Sequence, residues 1–210
     1  MKFSFNKIKY KHILNIERLE INENAVAIVG KSGCGKSTLL RIMANIISLD
    51  SGDYLIDDIN INDYNAVSFR RIVTLMNQKP IIYFGSVKDN IVIGMLYQNK
   101  TTPDDKKITD LLNAFNINCT LESSAKSLSL GEQQRICMIR SLLLQSKVYL
   151  LDEPTSSLDK ETEDAAMTTF FDTAKSIGSQ VIFVTHNPII AEKYAERIIT
   201  VEGGMVCEYP

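Results

Sequence analysis

The sequence contains no tryptophan, two histidines and four cysteines in 210 residues. Cys34, Cys119, Cys137 and Cys207 are scattered and form no C-x-x-C pair, which argues against a zinc site or a disulfide framework. No uninterrupted apolar run approaches the roughly 20 residues that span a bilayer. Met1-Lys2-Phe3-Ser4-Phe5-Asn6-Lys7 alternates like an edge strand and has no signal-peptide apolar region. A cytosolic chain is therefore expected, with any membrane role supplied by a partner. A large excess of one charge is also missing: 23 basic and 25 acidic side chains leave a net charge of −2, which argues against a general nucleic-acid binder. There is no repeat and no low-complexity run. The length and an ordinary 45% hydrophobic content suit a single domain over residues 1–210.

What the chain does contain is concentrated in short motifs. Gly30-Lys31-Ser32-Gly33-Cys34-Gly35-Lys36-Ser37 is a G-x-x-x-x-G-K-[ST] loop between the apolar run Ala25–Val29 and the helix-like Thr38-Leu39-Leu40-Arg41-Ile42-Met43. Strand, glycine loop and helix together form the context of a phosphate site. The backbone N–H groups of such a loop converge on an anion at a helix N-terminus. Lys36 supplies a positive charge for the β- and γ-phosphates, and the Ser37 hydroxyl is a Mg²⁺ ligand candidate. Cys34 reads as a small residue filling a variable loop position.

Val148-Tyr149-Leu150-Leu151-Asp152-Glu153 is an apolar run that ends in two carboxylates. A buried parallel strand reads as such a run, and ligands sit beyond the C-terminal ends of strands in open α/β sheets. Asp152 is thus placed to hold Mg²⁺ opposite Ser37, and Glu153 to polarise the water that attacks the γ-phosphate.

Leu128-Ser129-Leu130-Gly131-Glu132-Gln133-Gln134-Arg135 resembles the signature L-S-G-G-[QE]-x-Q-R of the ATP-binding subunits of ABC (ATP-binding cassette) systems. The resemblance covers essentially the whole chain, with the family's motifs in order. Gln78 in Met76-Asn77-Gln78-Lys79-Pro80 matches the Q-loop glutamine, a Mg²⁺ or water ligand. Ser157-Leu158-Asp159 matches the D-loop, and His186 in Thr185-His186-Asn187 the switch histidine. Tyr10 or Phe5 would stack on adenine, with Tyr10 preferred. The resemblance implies that two copies close head to tail over two ATP molecules. Each ATP would lie between one copy's Gly30 loop (Gly30 to Thr38) and the other's Ser129, Gly131, Glu132 and Asp159. The cofactors implied are ATP and Mg²⁺. Leu130 stands where the family has its first signature glycine; its side chain is expected to point away.

Strands are expected over Phe3–Ile8, Ile13–Ile21, Ala25–Val29, Tyr54–Ile56 and Ile72–Met76, with turns at Ser51-Gly52-Asp53 and Asp57-Asp58. Helical periodicity then runs through Val87–Ile93, Ile108–Phe115 and Gln133–Leu144. Strands Val148–Leu151, Val181–Thr185 and Ile198–Val201 alternate with helices near Lys160–Ile177 and Ile189–Ala195, and Gly203-Gly204 makes a hairpin turn. The alternation implies a parallel sheet flanked by helices. The resemblance makes it a P-loop NTPase with a mainly parallel core sheet, an antiparallel β region near the N-terminus and an inserted helical subdomain. Residues 1–79 and 146–210 would form the catalytic core and 80–145 the subdomain.

The implied function is ATP hydrolysis energising a separate integral membrane permease, with the chain peripheral on the inner face of the membrane. The permease would dock near Gln78 to Phe84, where Ile81-Ile82-Tyr83-Phe84 matches the family's groove for a cytoplasmic helix. The compact helical region and short C-terminus look most like small stand-alone exporter subunits such as the iron-export type. A soluble ABC ATPase of translation or DNA repair is the alternative, opposed by the single cassette and the absence of a heptad run.

Overall fold

The computed structural model describes residues 1–208 and has three layers. The first is an antiparallel sheet of β1 (Phe3–Tyr10), β2 (Leu14–Ile21), β4 (Ser51–Ile56) and β5 (Ile59–Asn60), in the order β2-β1-β4-β5. The second is a six-stranded sheet of β3 (Ala25–Val29), β6 (Val73–Met76), β7 (Val148–Asp152), β8 (Gln180–Val184), β9 (Arg197–Glu202) and β10 (Met205–Glu208). Its order is β10-β9-β3-β8-β7-β6, parallel throughout except for the β9–β10 hairpin. The third is helical: α3 (Val87–Tyr97), α4 (Asp105–Ala114), α5 (Leu130–Leu143) and α6 (Lys160–Ser176).

The period-2 alternation of strand side chains builds two cores from one sheet. Val26, Ile28, Val148, Leu150, Ile182 and Val184 face the antiparallel sheet and α1 (Lys36–Met43). The intervening Ala27, Tyr149, Leu151, Val181 and Phe183 pack with Ile91, Ile108, Phe115, Ile136 and Phe170 of the helical layer. Because both faces are covered, β7 and β8 are buried at every position. That is why they read as continuous apolar runs rather than alternating ones. Residues 80–145 carry α3 to α5, and these helices share a core with the sheet instead of forming one of their own.

Several local readings need correction. Ser51-Gly52-Asp53 is not a turn but the first half of β4; Asp53 pairs with Asn6 and Ser51 with Lys9 across a register shift. Gly52 sits at φ 95° and accommodates that bulge. The signature helix starts at Leu130, three residues before the expected Gln133. Helix α2 (Ala66–Ile72) was not legible. It is seven residues long, and the Asn65 side chain caps it by accepting from Val67 and Ser68 N–H.

Candidate nucleotide site

The strand order β3-β8-β7-β6 brings four loops together at one end of the parallel sheet. The Gly30 loop follows β3, Glu153 follows β7, His186 follows β8, and Gln78 follows β6. Six of these residues, Gly35, Lys36, Ser37, Gln78, Glu153 and His186, line one cavity of about 300 Å³.

The loop enters α1 through Gly35, the N-cap, at φ 109°. A Cβ there would lie 2.6 Å from Leu14 Cδ2, so both backbone angle and space demand glycine. No side chain caps α1 and its first turn has no acid, which leaves the N–H groups open to an anion. Lys36 is nearly fully buried, and its Nζ donates to Gly30 O at 2.8 Å and Lys31 O at 2.9 Å, spanning the loop. Lys31, Ser32 and Gly33 are exposed, while Cys34 and Thr38 are half-buried.

Ser37 Oγ donates to Asp152 Oδ1 at 2.8 Å, which joins the two residues expected to share a cation. Burial raises the Asp152 carboxyl above its ordinary value; Ser37's hydrogen bond opposes this, and Glu153's charge adds to it. Hydroxyl, carboxylate and the Gln78 carboxamide form an all-oxygen set suited to Mg²⁺, which uses one or two carboxylates together with phosphate oxygens. Among the described residues no group of three or more His, Cys, Asp or Glu side chains is placed to hold a metal ion.

Both oxygens of Glu153 are engaged: Gln78 Nε2 donates to Oε2 at 2.6 Å, and His186 Nε2 lies 2.7 Å from Oε1. The Glu153 backbone is left-handed, at φ 47°, with its N–H donated to Val184 O at 3.2 Å. That conformation is uncommon for a non-glycine residue and holds only where its surroundings impose it.

The structure brings the signature and D-loop together away from the cavity. Ser129 and Glu132 form a reciprocal capping box: Ser129 Oγ donates to Glu132 Oε2 at 2.7 Å and accepts from Glu132 N–H. The Ser129 hydroxyl holds the Glu132 carboxyl below its usual range. A Cβ on Gly131 would lie 2.8 Å from Leu158 Cδ2 and 3.2 Å from Ser157 O, so Gly131 packs closely against the D-loop. Leu130 is 56% exposed and has no positive φ, so its side chain points away and nothing local requires glycine. Asp159 caps α6 by accepting from Thr162 N–H and Oγ1, bonds that lower its carboxyl pKa.

Phe5 is fully buried and stacked on Tyr54 with ring centroids 4.5 Å apart, so it is not available to a nucleotide. Tyr10 is half-buried beside Lys11 and does not line the phosphate cavity, where Ile13 sits instead. His12 is exposed. Two residues that the motif reading passed over join these loops. Glu163 accepts from Thr155 Oγ1 at 2.7 Å and Asn187 Nδ2 at 2.9 Å, tying the chain after Glu153 to the chain after His186. Gln134, fully buried on α5, bonds to the main chain at Gln78, Glu153 and Ser157. Its place in the signature was the only sequence signal for it.

Comparison with known proteins gives the family and the fold. The family model described as ABC transporter matches residues 15–156. Leptomycin B resistance protein pmd1 of Schizosaccharomyces pombe is 32% identical over 218 residues, covering 99% of this chain and 16% of its own length. The maltose/maltodextrin import ATP-binding protein MalK of Vibrio vulnificus is 34% identical over 193 residues, covering 90% of this chain and 52% of its own. In fold, the chain is similar to cbiO1 from Clostridium perfringens, described as part of the ABC transporter complex cbiONQ. The TM-score is 0.81 at 25% identity, over 98% of this chain and 86% of that one. The chain belongs to the ABC transporter family, as one of its ATP-binding cassettes with the P-loop NTPase fold of ABC ATPases. It spans about half or less of the length of these two curated relatives.

Proposed function

We propose that the chain is an ATP-hydrolysing subunit that energises a separate integral membrane permease. The observation that carries this reading is Glu153, held between Gln78 and His186 in the same cavity as Lys36 and Ser37. The triphosphate would lie along the Gly30 loop against the uncapped N-terminus of α1, with Lys36 exchanging its loop carbonyls for phosphate oxygens. Ser37, Asp152 and Gln78 would hold Mg²⁺, which when bound neutralises charge on the β- and γ-phosphates. His186 would turn to the γ-phosphate. The freed Glu153 carboxylate would orient the attacking water and accept its proton as the bond to ADP breaks.

A second copy would complete the site with Ser129, Gly131, Glu132 and Asp159, closing over ATP. No helix among the described residues is long and apolar enough to cross a membrane; in this reading the permease would supply the pathway. The docking surface proposed for it is the groove of about 200 Å³ beside Lys79, Ile81 and Tyr83. There Ile81, Tyr83 and Phe84 are 50%, 42% and 88% exposed, an apolar patch of the kind that receives an amphipathic helix. The working location would then be the inner face of the cell membrane.

The test is recovery of tagged Glu153→Gln protein, with ATP, from detergent-solubilised native membranes. A stoichiometric polytopic membrane protein supports the permease reading. Recovery of ribosomes or DNA in its place contradicts it.

A further inference from the structure

Gln134 lies one turn into α5, and its side chain is 0% exposed. Its amide meets two loops at once, the one after β6 and the one after β7. Nε2 faces Glu153 O at 3.1 Å, Gln78 O at 3.3 Å and Ser156 Oγ at 3.4 Å, while Oε1 accepts Ser157 N–H at 3.1 Å. The partners dictate this orientation. A main-chain N–H can only donate and two carbonyls can only accept, so a flipped amide would oppose like to like. A buried amide engaged on both sides imposes geometry on its neighbours, and leaving those carbonyls unpaired is costly. Glu153 is the neighbour most in need of it: its peptide is left-handed, held through N–H by Val184 and through C=O by Gln134.

We infer that Gln134 is a positioning residue for hydrolysis. It fixes the main chains of Glu153 and Gln78 to the signature helix, so that any movement of α5 carries the Gln78–Glu153 pair with it. The signature and the carboxylate that orients water thus form one mechanical unit, with the Gln134 amide as the joint that reaches both loops. This rests on the ATPase reading above.

The experiment compares the full chain with Gln134→Met, which keeps side-chain length without hydrogen bonds, and Gln134→Glu. For Gln134→Met, kcat falls about tenfold to a hundredfold, the loss expected for a misplacement of about 1 Å, while the ATP dissociation constant stays within about twofold. In a Glu153→Gln background the same change has little further effect, because the positioned carboxylate is already gone. Gln134→Glu regains part of its kcat relative to the unmodified chain as pH falls, since only a protonated carboxyl can donate, through its single O–H, to one of the two carbonyls. The Ser157 amide exchanges faster in Gln134→Met and stays protected in Gln134→Glu.

Unchanged kcat in Gln134→Met overturns the inference. So does nucleotide affinity lost by the same factor as turnover, or a Gln134→Glu ratio that stays flat with pH. If the unmodified chain shows no turnover, the ATPase reading fails separately, and Ser157 exchange alone decides whether the joint exists.

Discussion

The helices that carry the two nucleotide-associated motifs begin in opposite ways. Helix α1 opens at Gly35 with no side-chain cap and no acid in its first turn. Helix α5 opens at Ser129 with a closed capping box and Glu132 in its first turn. An uncapped N-terminus leaves several backbone donors and a partial positive charge for a ligand, whereas a capping box consumes that capacity internally. The Gly30 loop is therefore ready for phosphate in this conformation. The Ser129 signature is engaged with itself; in the proposed ATP-bound dimer its hydroxyl would have to leave Glu132 before reaching a phosphate on the other copy. The contrast teaches that, if the proposed dimer forms, the half of its site at α1 is open beforehand while the half at α5 has to give up its own cap.

The largest expected effect comes from attacking the preformed half. Lys36→Ala removes the only ammonium among the residues that line the phosphate cavity and should abolish measurable ATP binding by equilibrium titration. Binding within tenfold of the unmodified chain would show that the backbone N–H groups alone hold the nucleotide. Next, Ser129→Ala should leave ATP binding by the monomer unchanged, impair ATP-driven dimerisation and cost about 1 kcal/mol of stability through the lost cap. Size-exclusion chromatography with ATP and a denaturant melt would separate the two effects.

Asp152→Asn sharpens the chemical side of the comparison. Its carboxyl pKa is raised in the fold, so the folded state favours the protonated, neutral form. The charge is then a cost that appears as pH rises through the unfolded-state value and persists above the folded one. A neutral Asn that still accepts from Ser37 should raise the Tm without nucleotide by about 2 °C at neutral pH, while Mg²⁺-dependent turnover is lost. As pH falls below both values, the Tm advantage should vanish. The smallest effect is expected for Leu130→Gly: its side chain is exposed, so hydrolysis and dimerisation should stay within about twofold apart from a helix-propensity cost of up to about 1 kcal/mol.

Much of this site was legible because its residues come with local signals. Lys36 and Ser37 sit at fixed offsets in a glycine loop, Asp152 and Glu153 end a fully buried strand, and His186 follows another. Local pattern also located β3, β7 and β8, whose double burial writes unbroken apolar runs. What it missed depends on distant partners. The start of β4 was read as a turn because Ser51-Gly52-Asp53 is turn chemistry; only pairing with β1 across a bulge makes it strand. Sequence preferred Tyr10 but did not exclude Phe5, because the stacking on Tyr54 that buries the Phe5 ring comes from a strand far along the chain. Gln134 carried no signal of its bonds because its partners lie at Gln78, Glu153 and Ser157, on loops that only the sheet order brings together.

The most direct test of the account is phosphate release by the unmodified chain and by Glu153→Gln, with bound ATP quantified in both. The prediction is Mg²⁺-dependent release by the unmodified chain, and release lower by about a hundredfold or more in the variant, which still binds ATP. Full turnover in Glu153→Gln would contradict the role given to the carboxylate between Gln78 and His186. Loss of ATP binding along with turnover would reduce Glu153 to a structural residue of the cavity.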